Sequence, residues 1–240
     1  MSDCALAVFV KRPAPGAVKT RLAAAIGPAA AAELYRALAE RVLEATTPAP
    51  GEYERLVFYD PPEAPEEMHA WLPGVRLLAQ STGDLGERMS DAAARAFARG
   101  ATRVAIVGTD TPGLSRETVV AALDALDAVD VVIGPTADGG YYLLALREPR
   151  PELFAGVAWS TPAVARETRA RAAAAGLLVR ELPLLRDVDT LEDVRFEWPA
   201  LRALLAGRPR LRASIEEALT ASPAGIPSPG RGSGPAREGP

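Results

Sequence analysis

The sequence predicts an α/β protein in which one mostly parallel, twisted sheet carries helices on both faces. Three observations lead there. Short, continuous apolar runs such as residues 5–10 and Arg103–Val107 have the composition of strands buried on both faces, as parallel sheets require. Segments with helical apolar spacing alternate with these runs, which implies right-handed crossovers between parallel strands. Finally, 240 residues with 48% apolar content suffice for one sizeable core and argue against a two-domain split.

Taken in order, residues 5–10 form the first, central strand, and a loop over 11–20 follows. Pro28–Ala45 is an Ala-rich helix in which Leu34, Leu38 and Val42 recur at helical spacing. Residues 55–59 and 75–79 are strands joined through a Pro- and Glu-rich connection holding a short helix near 66–71. Residues 85–99 form a helix stopped by Gly100, and the strand after it runs straight into Gly108-Thr109-Asp110. Ser115 is the N-cap of a helix reaching about Ala125, and residues 129–134 and 141–146 form a hairpin around a Gly-rich bend. Thr161-Pro162 opens a helix ending at Gly176, before a strand over 177–182. Thr190 starts a last helical region that Pro199 must kink or split. From residue 222 onward Pro, Gly and Ser dominate, so a domain is expected over 1–221 and a disordered tail over 222–240.

A net charge of −4 gives no general attraction to nucleic acid or anionic lipid, so any basic site must be local and the partners small molecules. Cys4 is the only cysteine, which excludes an intramolecular disulfide or a cysteine metal cluster. No apolar run approaches the ~20 residues of a membrane span, and the first residues lack a basic secretory start. A cytoplasmic location is expected; nothing in the residues sets the oligomeric state.

Four cations fall in the loop Lys11-Arg12-Pro13-Ala14-Pro15-Gly16-Ala17-Val18-Lys19-Thr20-Arg21, at the carboxyl end of the first strand, where open α/β sheets bind ligands. Lys11, Lys19 and Arg21 can neutralise phosphate oxygens, and Gly16 lets the backbone approach. Lys19 is placed among the catalytic groups. At the end of a second buried strand, Asp110 is the main candidate ligand for Mg²⁺ or Mn²⁺, which take carboxylate and phosphate oxygens. Its partner is sought in Asp187-Val188-Asp189-Thr190: Thr190 can cap the following helix, leaving Asp189 to ligate or simply to place charge near the helix start. Asp138, before Gly139-Gly140, could orient or deprotonate an acceptor hydroxyl, with the glycines leaving room for a ring. Arg88, after a glycine-containing stretch, could meet an anion, and Trp159 could stack on an acceptor. The lone His69 reads as a surface residue, and the triad, HExxH and Walker patterns are missing.

Together, residues 9–22, 83–89, 108–112, 138–142 and 187–193 resemble the bacterial DUF2064 glycosyltransferases linked to arsenosugar biosynthesis, in the nucleotide-diphospho-sugar transferase superfamily. The resemblance implies the GT-A fold, which is Rossmann-related, and a nucleotide-sugar donor with Lys19 and Arg21 near its phosphates. It also implies Asp110 as ligand of a divalent cation and a small-molecule acceptor. Asp189-Thr190-Leu191-Glu192-Asp193 is similar to a segment of phospholactate guanylyltransferases and molybdopterin nucleotidyltransferases, although Lys11-Arg12-Pro13 replaces their Gly-rich start. Glycosyl transfer is thus the first expectation. Nucleotidyl transfer from a nucleoside triphosphate to a phosphorylated acceptor, releasing pyrophosphate, is the alternative.

Overall fold

The computed structural model describes residues 3–221. The expected tail over 222–240 lies outside them. Seven strands form one sheet among these residues: β1 (Cys4–Lys11), β2 (Glu54–Asp60), β3 (Leu77–Ala79), β4 (Arg103–Val107), β5 (Val131–Pro135), β6 (Tyr141–Leu146) and β7 (Val179–Glu181), in the order β3-β2-β1-β4-β6-β5-β7. The sheet is mostly parallel, as expected: only β6 runs against its neighbours, pairing antiparallel with β4 and β5. That inversion follows from the hairpin at Asp138-Gly139-Gly140, which returns the chain beside β5 instead of crossing over.

The α-helices among the described residues are α1 (Thr20–Ile26), α2 (Pro28–Ala45), α3 (Pro65–Trp71), α4 (Leu85–Ala98), α5 (Arg116–Ala125), α6 (Val164–Ala174), α7 (Leu191–Leu204) and α8 (Pro209–Ala221), with a 3₁₀ turn at Pro151–Leu153. Residues alternate across β1. Leu6, Val8 and Val10 face α2 and α5, packing with Tyr35, Val42, Val119 and Leu126, whereas Ala5 and Ala7 face α4 with Met89, Ala92 and Ala96. Each large side chain so buried contributes about 1.5–3 kcal/mol of transfer free energy. A further cluster joins both ends of the chain: Leu22 of α1 and Leu34 and Leu38 of α2 meet Val194 and Leu201 of α7 and Leu211 and Ile215 of α8.

Departures from expectation have local causes. The loop after β1 ends in an additional helix, α1, divided from α2 by Gly27 at φ 82°. Here the alanine-rich stretch, rich in good helix formers, starts earlier than its apolar periodicity shows. The Thr161 hydroxyl donates to Ala158 O and accepts from Ala163 N–H, so it closes a turn and α6 begins only at Val164. Pro199 stays inside α7, and the division falls instead over residues 205–208, before Pro209 opens α8. Strands β3 and β7 are shorter than expected because each pairs along one side only, through three residues.

Candidate active site

The carboxyl ends of β1 and β4 lie side by side at the centre of the sheet, and the chain after β7 crosses back over them. Its Val188 N–H donates to Asp110 O at 3.0 Å, Leu185 N–H to Pro135 O at 3.1 Å, and Ala137 N–H to Leu185 O at 3.2 Å. Residues 185–189 are therefore strapped to the loops after β4 and β5, which brings Asp110, Asp187 and Asp189 to one rim. Thr190 caps α7 in a reciprocal capping box with Asp193, which leaves the Asp189 side chain to point elsewhere.

It points at the cations. Lys19 Nζ lies 2.5 Å from Asp110 Oδ1 and 2.6 Å from Asp189 Oδ1, while Arg21 Nη2 lies 2.8 Å from Asp189 Oδ2. The Lys19 side chain is only 3% exposed, whereas that of Arg21 is 66% exposed. Burial alone would lower the Lys19 pKa, but the charges of Asp110 and Asp189 outweigh it and hold the ammonium above its ordinary range. Burial would raise Asp189, yet Lys19 and Arg21 together keep its carboxyl below the usual value. Lys19 also has a left-handed backbone, φ 50° and ψ 43°, at the N-cap of α1. A lysine there costs strain that glycine would avoid, and such strain concentrates at working sites.

Asp187 is different. Its carboxylate accepts a close hydrogen bond from Thr111 Oγ1, but burial, reinforced by Asp110 and Asp138, pushes its pKa up to about 7. Beneath the cluster, Tyr35 Oη accepts Lys11 N–H at 2.7 Å and lies 3.1 Å from Thr109 Oγ1, which donates to Phe9 O at 3.3 Å. This chain of bonds ties the ends of β1 and β4 together where they begin to separate. Burial, and then Asp110, push the Tyr35 hydroxyl up to about 12, so it serves as a neutral link.

A cleft of about 90 Å³ opens beside the cluster, lined by Arg21, Asp138, Arg186, Asp187, Asp189 and Asp193. A larger one, about 350 Å³, flanks residues 12–15 and is walled by the Arg12–Glu67 ion pair and by Arg36 over the Trp71 ring. None of the clustered acids lines it, so chemistry rather than size singles out the first.

A family model for an uncharacterised protein conserved in bacteria, DUF2064, matches residues 42–161, half of the chain. The chain belongs to the DUF2064 family. A crystal structure from Desulfovibrio desulfuricans G20, of a protein provisionally assigned as a nucleotide-diphospho-sugar transferase, is 36% identical to it. The two superpose with a TM-score of 0.80 over 92% of this chain and 96% of the other. A phosphoenolpyruvate guanylyltransferase of Chloroflexus aggregans is 32% identical over 142 residues, 57% of this chain and 69% of that enzyme. Rv0371c of Mycobacterium tuberculosis, solved in complex with manganese, shares the fold at 17% identity, with a TM-score of 0.50 over 80% of this chain and 96% of its own. The family read from the motifs thus holds, and the DUF2064 chain is a transferase with a GT-A-like sheet.

Within this DUF2064 protein the sequence-singled residues divide into those that meet and those that stand apart. Lys19, Arg21, Asp110 and Asp189 are in contact. Asp138 borders the same cleft, but its Oδ1 accepts from Thr136 Oγ1 at 2.6 Å and from Gly140 N–H at 3.1 Å, which holds the turn together. Gly139 leaves no room for a ring: a Cβ there would sit 2.2 Å from Pro162 O, so the space is already filled by backbone. At Gly140 the fit is tight but not closed, with Thr136 Oγ1 3.1 Å and Asp138 Oδ1 3.4 Å from the position of a Cβ. Trp159 packs on Gly86, where a Cβ would come within 2.4 Å of Nε1, and meets Tyr141 edge-on at 6.4 Å. Arg88 reaches Gln80 Oε1 at 3.2 Å and Asp60 at 3.8 Å, at the ends of β3 and β2. The Lys11 side chain is exposed, and Gly16 adopts φ 81° in the loop between Lys11 and Lys19. Tyr35, Thr109 and Thr111 escaped sequence reading. Tyr35 sits among apolar residues of a helix, and only the general need of a buried hydroxyl for a partner could have flagged it.

Proposed function

We propose that the protein is a nucleotidyltransferase, moving a nucleoside monophosphate from a nucleoside triphosphate to the phosphate of a small acceptor. The observation that carries this reading is the joining of Lys19, Arg21, Asp110 and Asp189 at one rim, in a chain 32% identical to a guanylyltransferase over 142 residues. That likeness raises nucleotidyl transfer above the glycosyl transfer placed first from the motifs.

In this reading an acceptor phosphate oxygen attacks the α-phosphorus, the bond to the β-phosphate oxygen breaks, and pyrophosphate leaves with the electron pair. Lys19 and Arg21 turn to the phosphates and share the charge that develops on the leaving oxygen, which is the kind of electrostatic stabilisation that dominates such catalysis. Lys11 and the Gly16 backbone line the same loop, and Arg88 meets the nucleotide from the β3 side. A phosphate monoester loses its second proton near pH ~6. The acceptor is therefore anionic without a base, and Asp138, which borders the cleft, positions it.

The residues present suit a hard divalent cation. Asp110 Oδ1 is buried and meets no donor in hydrogen-bonding geometry, although the Lys19 ammonium lies 2.5 Å away, and its side chain is 41% exposed. Among the described residues no three acids or histidines form a ready cage, so Asp110, with Asp189 or Asp187, would share the ion with substrate phosphates and water. Bound Mg²⁺ or Mn²⁺ would polarise the phosphoryl oxygens as a Lewis acid.

The test is a turnover panel of nucleoside triphosphates with phosphorylated carboxylic acids and sugars, read as pyrophosphate release. Asp110→Ala should lower kcat/KM by roughly 10²–10³-fold, the range for loss of one such stabilising group. Consumption of a nucleotide sugar without pyrophosphate release would select glycosyl transfer instead. That second reading is favoured by the 36% identical structure from Desulfovibrio desulfuricans. Among the described residues no helix is long and apolar enough to cross a membrane.

A further inference from the structure

The cluster poses a question of occupancy. Two carboxylates that could share a dication already share an ammonium, and Lys19 is buried so completely that it has no solvent to turn to. A bare dication entering between Asp110 and Asp189 would strip Lys19 of both partners and leave an uncompensated buried charge, which is a heavily unfavourable outcome. A dication that arrives with a polyphosphate brings new oxygens for the ammonium, and Arg21, already on Asp189 Oδ2, can follow. Backbone geometry supports a pivot and not a collapse: Lys19 is fixed at the α1 N-cap, with its carbonyl accepting Ala23 N–H at 2.8 Å, so only the four-carbon stem need move.

We infer that Lys19 is a resident counter-ion of the cation seat, displaced only when cation and polyphosphate bind together, so that the site discriminates against either one alone. The inference rests on reading Asp110 as a cation ligand, but not on which transfer reaction follows. It makes a polyphosphate carrying its own metal the class of molecule that can open the site, and it makes Lys19 a specificity determinant.

The experiment uses the full chain with Mn²⁺ and inorganic pyrophosphate as probes, reading protein-bound Mn²⁺ by water proton relaxation. Wild type should take up Mn²⁺ alone at least about tenfold more weakly than in the presence of pyrophosphate, a coupling of ordinary allosteric size. Lys19→Met should tighten Mn²⁺ alone by about the same factor and erase most of the difference. Equal uptake of Mn²⁺ by wild type with and without pyrophosphate, or an unchanged Mn²⁺ affinity in Lys19→Met, overturns the inference. Should that variant fail to fold, the ¹⁵N resonance of the Lys19 ammonium in wild type decides: it should hold its position with Mg²⁺ alone and shift with Mg²⁺ plus pyrophosphate, and a shift with Mg²⁺ alone defeats the idea. Pyrophosphate release from nucleoside triphosphates is measured separately, so that failure of the transfer reading is seen independently of this outcome.

Discussion

Tyr35 and Asp187 show how single side chains set the rim. Replacing Tyr35 by Phe keeps the ring but leaves Lys11 N–H and Thr109 Oγ1 without the hydroxyl between them. Stability should fall by about 1–2 kcal/mol, measurable by urea denaturation, because a buried donor is left unmet. Asp187 carries a pH dependence. An acid whose folded pKa, about 7, exceeds its unfolded value keeps its proton longer in the native state. Its contribution is therefore full below the unfolded value and is lost as pH rises toward 7. Asp187→Asn should flatten stability between about pH 4 and 7 and raise it at pH 8, as denaturant midpoints across that range would report. Asp189 acts in the opposite sense, since its lowered pKa makes its contribution vanish only in acid.

At the scale of elements, the hairpin between β5 and β6 is fastened to α6 through Gly139, whose carbonyl accepts Ala165 N–H at 3.0 Å. With φ 93° and Pro162 O where a Cβ would go, Gly139→Ala should cost about 2–3 kcal/mol and lower the thermal midpoint by several degrees. The turn was legible from Asp138-Gly139-Gly140, but its function as a docking point for α6 was not, because the clash comes from residue 162. The pattern repeats elsewhere. Buried strands, the Ser115 and Thr190 caps and the cationic loop were legible because each is written in contiguous residues. The β5–β6 hairpin was legible too, but the insertion of β6 beside β4, the α7–α8 break and the Tyr35 link were not, since partners far along the chain decide them.

Across the whole molecule, the cationic loop after β1 leads into a helix that the C-terminal helices support. Leu22 of α1 shares a buried cluster with Leu211 and Ile215 of α8, and Arg208 pairs with Glu40 of α2 at 2.5 Å. Ile215→Ala should therefore destabilise the fold by about 2–5 kcal/mol, in one cooperative denaturant transition and not by fraying of α8 alone. Two transitions would show that the C-terminal helices fold as a separate unit. The distance in sequence between Lys19 and Asp189 has a further consequence for how the protein is made. A nascent chain released from the ribosome as far as β6 would hold both the cation-rich loop and Asp110, yet their counterpart would still be unsynthesised. The rim can close only once residue 189 has been made, long after Lys19 and Asp110. A premature stop between the end of β6 and residue 189 should then leave a chain that holds β1 to β6 but lacks the carboxylate that pairs with Lys19 and Arg21.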